Sequence, residues 1–244
     1  MTETETATEP RLPLTRERVL RGAVELADRE GIDALSMRRL GQSLGVEAMA
    51  LYRHVRDKEA IFDGLIEEVV GEIDLPAPGS GDWKASMREL ALTSRAVMLR
   101  HPWAPALIVS RPQVGPATLR HIDAVLGILA ASGFTLEVAH HALHVLGSRV
   151  FGFTQDPFND TADVRPDPAT QVAQARALAA IYPNVGELAM AATHDGAMGG
   201  CDDDFEFRFG LDLILDGLGS ARKVAQIGRC RNRMPARSHA RRRR

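Results

Sequence analysis

The stretch Ser36-Met-Arg-Arg-Leu-Gly-Gln-Ser-Leu-Gly-Val-Glu-Ala-Met-Ala-Leu-Tyr-Arg-His-Val55 leaves a chain few ways to fold. Ser36 is a residue type that caps helix starts, and the apolar spacing behind it predicts a short helix ending at Leu44. Gly45 then supplies the left-handed turn conformation that other residues resist. A second short helix is expected over about 47–53, and Gly41 is small enough to let it pack closely against the first. Leu40, Leu44, Val46 and Leu51 point inward as a shared core. Glu47, Ala48, Met49, Ala50, Tyr52, Arg53 and His54 are left outward. That is the layout of a helix-turn-helix, whose second helix enters the DNA major groove. A plain helical hairpin would need the same glycine and apolar spacing, so the neighbourhood has to decide.

The flanks read as helices too. Thr15 is an N-cap with Glu17 in the first turn, and Val19, Ala23 and Leu26 repeat at helical spacing up to a C-cap glycine, Gly31. Asp57 caps a long helix lined by Ile61, Leu65, Val69 and Ile73. Leu75-Pro-Ala-Pro-Gly-Ser-Gly-Asp82 is rich in breakers and is the expected domain boundary. Helices are predicted at about 83–100 and 103–109. Another runs from Gly115-Pro116 to Gly133, with Leu119, Ile122, Leu126 and Leu129 on its apolar face. Thr135 opens a helix with Ala139, Leu143, Leu146 and Val150 inward. Residues 154–168 form a loop, Asp167-Pro168 starts a helix to Tyr182, and 194–204 form a second loop. The last strong helix, 205–222, carries Phe207, Leu211, Ile214, Leu215 and Leu218. No strand-like alternation or 20–50-residue repeat stands out. The fold class is therefore all-α: a disordered N-terminus at 1–14, a three-helix helix-turn-helix domain at 15–74, a larger helical domain at 75–222 and an Arg-rich disordered tail at 223–244.

Charge bears on the partner. The net charge is −2, yet residues 229–244 contain eight Arg and no acid, and residues 11–59 hold ten Lys or Arg against eight Asp or Glu. The remainder is acidic, so a nucleic acid has two places to dock: the N-terminal domain and the Arg tail. The tail adds non-specific, salt-sensitive DNA affinity or is an extension without a role. No uninterrupted apolar run is long enough for a membrane helix. The first dozen residues are acidic and Thr-rich, unlike a signal peptide, so a cytoplasmic location is expected. Cys201 and Cys230 lie far apart without metal-type spacing and read as free thiols.

Residues 15–75 resemble the DNA-binding domain of the TetR family, above all in Leu51-Tyr52-Arg53-His54-Val55 followed by Asp57-Lys58. Ser110-Arg111-Pro112, Ser132-Gly133-Phe134-Thr135-Leu136-Glu137 and Phe209-Gly210-Leu211-Asp212-Leu213-Ile214 are similar to segments of the regulatory domain in the tetracycline-repressor branch. The resemblance covers about 15–222. It implies phosphate contacts from Tyr52, His54 and Lys58, and phosphate or base contacts from Ser36 and Arg38. Base reading falls to Glu47, Ala48, Met49 and Ala50. Where the tetracycline repressors have Gln-Pro-Thr, this chain has Ala48-Met49-Ala50, so its operator should differ, with more apolar contact to thymine methyls. The alternatives are a solvated helix face for Arg38, Arg39 and Arg53, and a half-buried packing aromatic for Tyr52.

The same resemblance implies a homodimer through helices at about 135–152 and 205–222, and a small-molecule effector that releases palindromic operator DNA. Expected lining residues are Leu90, Ser94, Leu107, Arg111, Pro112, Val125, Leu143 and Gly147. Tetracycline-binding members hold a drug-bound Mg²⁺ through a His where Leu107 stands here, so tetracycline itself is not expected. Arg111 is read either as an anchor for the ligand or as a turn residue bonding local carbonyls. His140, His141 and His144, with His121 on another helix, raise the idea of a metal. Glu137 is the one close acid, and pocket or dimer-face histidines are the plainer reading. Neither a cofactor nor a resident metal is expected. No Ser/His/Asp elbow, phosphate loop or paired catalytic carboxylates point to an enzyme. A ligand-independent or activating DNA-binding protein of the same fold stays open, as does a His-based metal sensor or enzyme.

Overall fold

The computed structural model describes residues 13–76, 81–152, 167–191, 193–194, 197–198 and 203–232. The expectations for residues 1–12, most of the 154–168 loop, Cys201 and the tail from 233 fall outside these. The regular elements among the described residues are helices, apart from one two-residue antiparallel pair in which Thr193 faces Met198 and His194 faces Ala197. They form two compact units. One comprises residues up to Asp74 together with Ala96–His121; the other comprises Leu75–Arg95 together with Ile122 onward. No described helix is long and apolar enough to cross a membrane.

The first unit begins with α1 (Arg16–Glu30), α2 (Met37–Leu44), α3 (Ala48–Leu51) and α4 (Lys58–Gly71). Three helix starts are capped as expected. The Thr15 hydroxyl accepts the Arg18 amide at 3.2 Å, Ser36 accepts that of Arg39 at 3.2 Å, and Asp57 accepts that of Ala60 at 2.8 Å. Each cap satisfies an amide that the helix itself cannot, an effect of about 1 kcal/mol. Val19, Leu20, Leu26, Leu40, Leu51, Ile61, Leu65 and Val69 interlock as the core, all at most 2% exposed. Burying each such side chain is worth about 1.5–3 kcal/mol.

A 3-10 turn at Ile32–Ala34 bridges α1 and α2, which periodicity did not predict. The α4 helix leads to the other part of the unit: the end of α5 (Trp83–Arg100), α6 (Ala104–Ser110) and the start of α7 (Pro116–Ala131). The compact unit is thus larger than the helix-turn-helix domain expected at 15–74.

In the second unit, α8 (Leu136–Gly152) lies against the final helix. Between them come α9 (Pro168–Ile181) and α10 (Pro183–Ala191), and α11 is Asp203–Asn232. Ala139, Ala142, Leu146 and Val150 of α8 and Phe207, Leu211, Leu215 and Leu218 of α11 are the buried stripes. Three ion pairs tie α5 to α11 in antiparallel order: Lys84 with Asp216, Arg88 with Asp212, and Arg95 with Asp204. Trp83 meets Phe134 edge to face at 4.8 Å, and the Arg222 guanidinium lies over both rings.

Two differences from the sequence reading concern helix ends. The helix expected to stop at 222 continues to Asn232, because Lys223-Val-Ala-Gln-Ile227 contains no breaker. Helix α10 follows α9 after a break at Tyr182, with Pro183 at its first position, where a missing amide costs nothing.

Candidate nucleic-acid interface and regulatory residues

The turn between α2 and α3 sets the geometry of the N-terminal surface. Gly45 has φ 67° and ψ 32°, the left-handed conformation, and its amide donates to the carbonyl of Gln42 at 3.2 Å. A Cβ at Gly41 would come within 2.9 Å of the Val46 carbonyl oxygen and 3.1 Å of the Ala48 amide. Backbone atoms cannot yield there, so glycine is what lets α3 close onto α2. Leu40 and Leu51 are fully buried behind the turn; Leu44 and Val46 are half-buried.

The outward side carries the expected residues in graded exposure. Met49 is 74% exposed and Tyr52 46%, and Glu47, Arg38 and Arg53 are also exposed. Ala48, Ala50 and His54 are half-buried, with Ala48 pressed toward Gly41. Helix α3 is a single turn, Ala48–Leu51. Tyr52, Arg53 and His54 therefore lie just past it, in the turn leading to Val55. Ser36 spends its hydroxyl on the α2 cap. Arg39 is ion-paired with Glu30, whereas Arg38 has no ion pair among the described residues. Lys58 opens α4 with its ammonium 4.9 Å from the Phe62 ring centroid. A helix N-terminus with a Lys beside it favours a phosphate. Asp57 serves as the cap of that helix; the Ala60 amide and Arg56 hold its carboxyl below the usual range.

The residues expected to line an effector site fall in both units. In the first, Leu107 is buried on α6 and Pro112 is exposed. Arg111 has acidic partners that neither sequence reading named. It donates through Nε and Nη2 to Asp63 at 2.9 and 2.7 Å and is also paired with Glu59, both on α4. In the second unit Leu90, Ser94 and Val125 are buried, and Leu143 and Gly147 are half-buried. The Ser94 hydroxyl donates to the Leu90 carbonyl at 2.6 Å.

Sequence reasoning missed a polar cluster between the start of the chain and the α5–α6 corner. His101, 6% exposed, places Nδ1 2.8 Å from Asp28 Oδ1 and Nε2 3.3 Å from Glu72 Oε2. Trp103 donates Nε1–H to the same Asp28 oxygen at 2.7 Å, and Arg100 donates to Glu72 at 2.6 Å. Burial pushes the Glu72 carboxyl up, but hydrogen bonds from Arg100 and His101 outweigh it and hold it below its usual range. Nothing periodic marks these residues in the sequence.

A second group is also new. Glu67 Oε2 accepts the Ala117 amide at 2.8 Å at the start of α7, while Glu67 Oε1, Thr118 Oγ1 and His121 Nδ1 are buried without a hydrogen-bond partner. Burial lowers the His121 pKa below its ordinary 6.5, disfavouring the charged ring. Among the described residues no group of three or more His, Cys, Asp or Glu is disposed to hold a metal.

Comparison with known proteins gives this arrangement a family. Residues 19–65 match the bacterial regulatory proteins, tetR family, and residues 75–222 the tetracyclin repressor-like C-terminal domain. An HTH-type transcriptional repressor, DrrR1 of Streptomyces coeruleorubidus, is 32% identical over 86% of this chain and 78% of its own. Apo ActR from Streptomyces coelicolor superposes with a TM-score of 0.72 at 26% identity, over 88% of this chain and all of that one. ActR in complex with actinorhodin gives 0.71 at 27% identity, over 86% and 97%. The chain belongs to the TetR family: it is a helix-turn-helix transcriptional regulator with a tetracyclin repressor-like C-terminal domain, and not an enzyme.

Proposed function

We propose that the chain acts in the cytoplasm as a homodimer that occupies a palindromic operator and leaves it when a small organic effector binds. The observation that carries the DNA half is the closed α2–α3 turn. It presents Met49, Tyr52, Arg53 and Arg38 to solvent beside the capped, Lys58-bearing start of α4. Met49 offers apolar contact to thymine methyls, with Glu47, Ala48 and Ala50 at its sides. Arg38 offers the fork that suits guanine or phosphate, and Ser36, Tyr52, His54 and Lys58 hold the backbone.

Dimerisation is supported by α11. Phe205, Phe209 and Leu213, each more than half exposed, repeat every four residues on the face turned away from Phe207, Leu211 and Leu215. A row of large exposed apolar side chains marks an interface, and a two-fold axis pairs it with its own copy. Two recognition helices then meet successive major grooves about 34 Å apart.

The effector half is supported by relatives and by the unpaired atoms. ActR is described in complex with actinorhodin and with (S)-DNPA. Within the second unit Leu90, Ser94, Val125, Leu143 and Gly147 supply a largely apolar lining; Leu107, Arg111 and Pro112, at the end of α6, belong to the first unit. Buried polar atoms without partners on Glu67, Thr118 and His121 are groups that a bound ligand or ordered water would satisfy. Effector and DNA then weaken each other by one common factor.

The test is titration of the purified protein onto DNA from immediately upstream of its own gene, at two salt concentrations. A tight, sequence-selective complex with two protomers per palindrome is expected. Weak binding, equal on random DNA and abolished by deleting residues 229–244, overturns the operator assignment.

A further inference from the structure

Helix α8 carries three histidines that the DNA and effector assignments do not use. His140, His141 and His144 are all exposed. The His140 and His144 rings are 4.6 Å apart between centroids at an interplanar angle of 77°, and His141 stands 5.6 Å from His140. Among the described residues no hydrogen bond ties any of the three imidazoles to another side chain, so their nitrogens remain available as ligands.

Residues four apart on a helix project from one face, one turn above the other. Two imidazoles in that relation can each turn a nitrogen toward one ion at about 2.0–2.1 Å, the spacing that helical His pairs use for zinc. The 4.6 Å ring separation is within reach of that geometry after small side-chain rotations. His141 is one residue on from His140 and leaves the helix about 100° away, so it does not share the site. Glu137 lies on the same outward side, one turn before His140 and His141.

We propose that His140 and His144 form a two-histidine site for a borderline divalent cation of the zinc class, with water filling the remaining positions. Imidazole nitrogen favours Zn²⁺, Ni²⁺ and Cu²⁺ over the hard cations Mg²⁺ and Ca²⁺. With only two protein ligands the site is open and exchangeable, unlike a structural zinc centre. The buried face of α8 is Ala139, Ala142, Leu146 and Val150, and the dyad leaves on one flank while Val145 leaves on the other. The site does not depend on the operator or effector assignment.

The experiment is titration of Zn²⁺ against the untagged full-length protein in competition with a chromophoric chelator. The parent, His140→Ala, His144→Ala and His141→Ala are compared. The parent is expected to take up one Zn²⁺ per chain from the chelator. His140→Ala and His144→Ala should each weaken uptake by about tenfold or more, since removing even an outer partner of a metal ligand costs that much. His141→Ala should bind as the parent does. Far-ultraviolet circular dichroism of each variant should match the parent, because all three side chains are exposed. Failure of the parent to compete overturns the site, and so does parental affinity in either His140→Ala or His144→Ala.

Discussion

His101 stands between two acids from opposite ends of the N-terminal helices, with its Nδ1 2.8 Å from Asp28 Oδ1. Asp28 closes α1 and Glu72 follows α4, so one buried ring joins both to the α5–α6 corner within the same compact unit. Removing it leaves both carboxylates short of a partner. His101→Ala should lower unfolding stability by about 1–3 kcal/mol, read as the midpoint in urea. His101→Gln, which can keep one of the two bonds, should fall between. A midpoint unchanged in both would mean that the cluster is incidental.

Two neighbouring arginines should behave differently. Arg38 is exposed without an ion pair, while Arg39 is occupied by Glu30. Arg38→Ala should weaken operator binding by about 1–3 kcal/mol in fluorescence anisotropy with the fold intact. Arg39→Ala should change it by less than about 1 kcal/mol, as befits an exposed ion pair. The reverse order would place the DNA on the other side of α2.

Phe209 and Leu213 are 54% and 59% exposed on α11. Phe209→Glu with Leu213→Glu should leave helix content unchanged and halve the mass seen in analytical ultracentrifugation. A dimer that survives both charges would move the interface elsewhere.

The His121 ring gives a pH signature. Its folded pKa lies below the ordinary 6.5 because of burial, so the unfolded chain binds the proton more readily. Stability from this group is fully present above pH 6.5 and is lost as pH falls toward the folded value. Melting temperatures compared at pH 7.5 and 5.5 should show a larger drop for the parent than for His121→Gln. Equal drops would mean that the ring is solvated.

Local chemistry explains why much of the fold was legible. Thr15, Ser36 and Asp57 act on amides three residues away, and Gly45 acts on its own φ, so a short window carries the whole signal. The exposure of Met49 and the packing role of Gly41 follow from the same turn. Arg111 was different: its partners Glu59 and Asp63 lie 52 and 48 residues upstream, and no periodicity records such a pairing. The His101 cluster and the unpaired Glu67, Thr118 and His121 atoms are likewise products of tertiary contact. The end of α11 was misplaced because change of charge was read as change of structure, although no proline occurs between 222 and 232 and a single glycine, Gly228, does not stop the helix.

The two tryptophans fall one to each compact unit. Trp103 donates its indole N–H to Asp28, and Trp83 sits against Phe134 beneath Arg222. Replacing either by Phe leaves a single tryptophan which, excited to the red of tyrosine absorption, reports on one unit alone. Emission from Trp103 then follows the DNA-binding side, and emission from Trp83 the α5–α11 side. The order in which the two units respond to an added compound becomes a stopped-flow measurement that needs no attached dye.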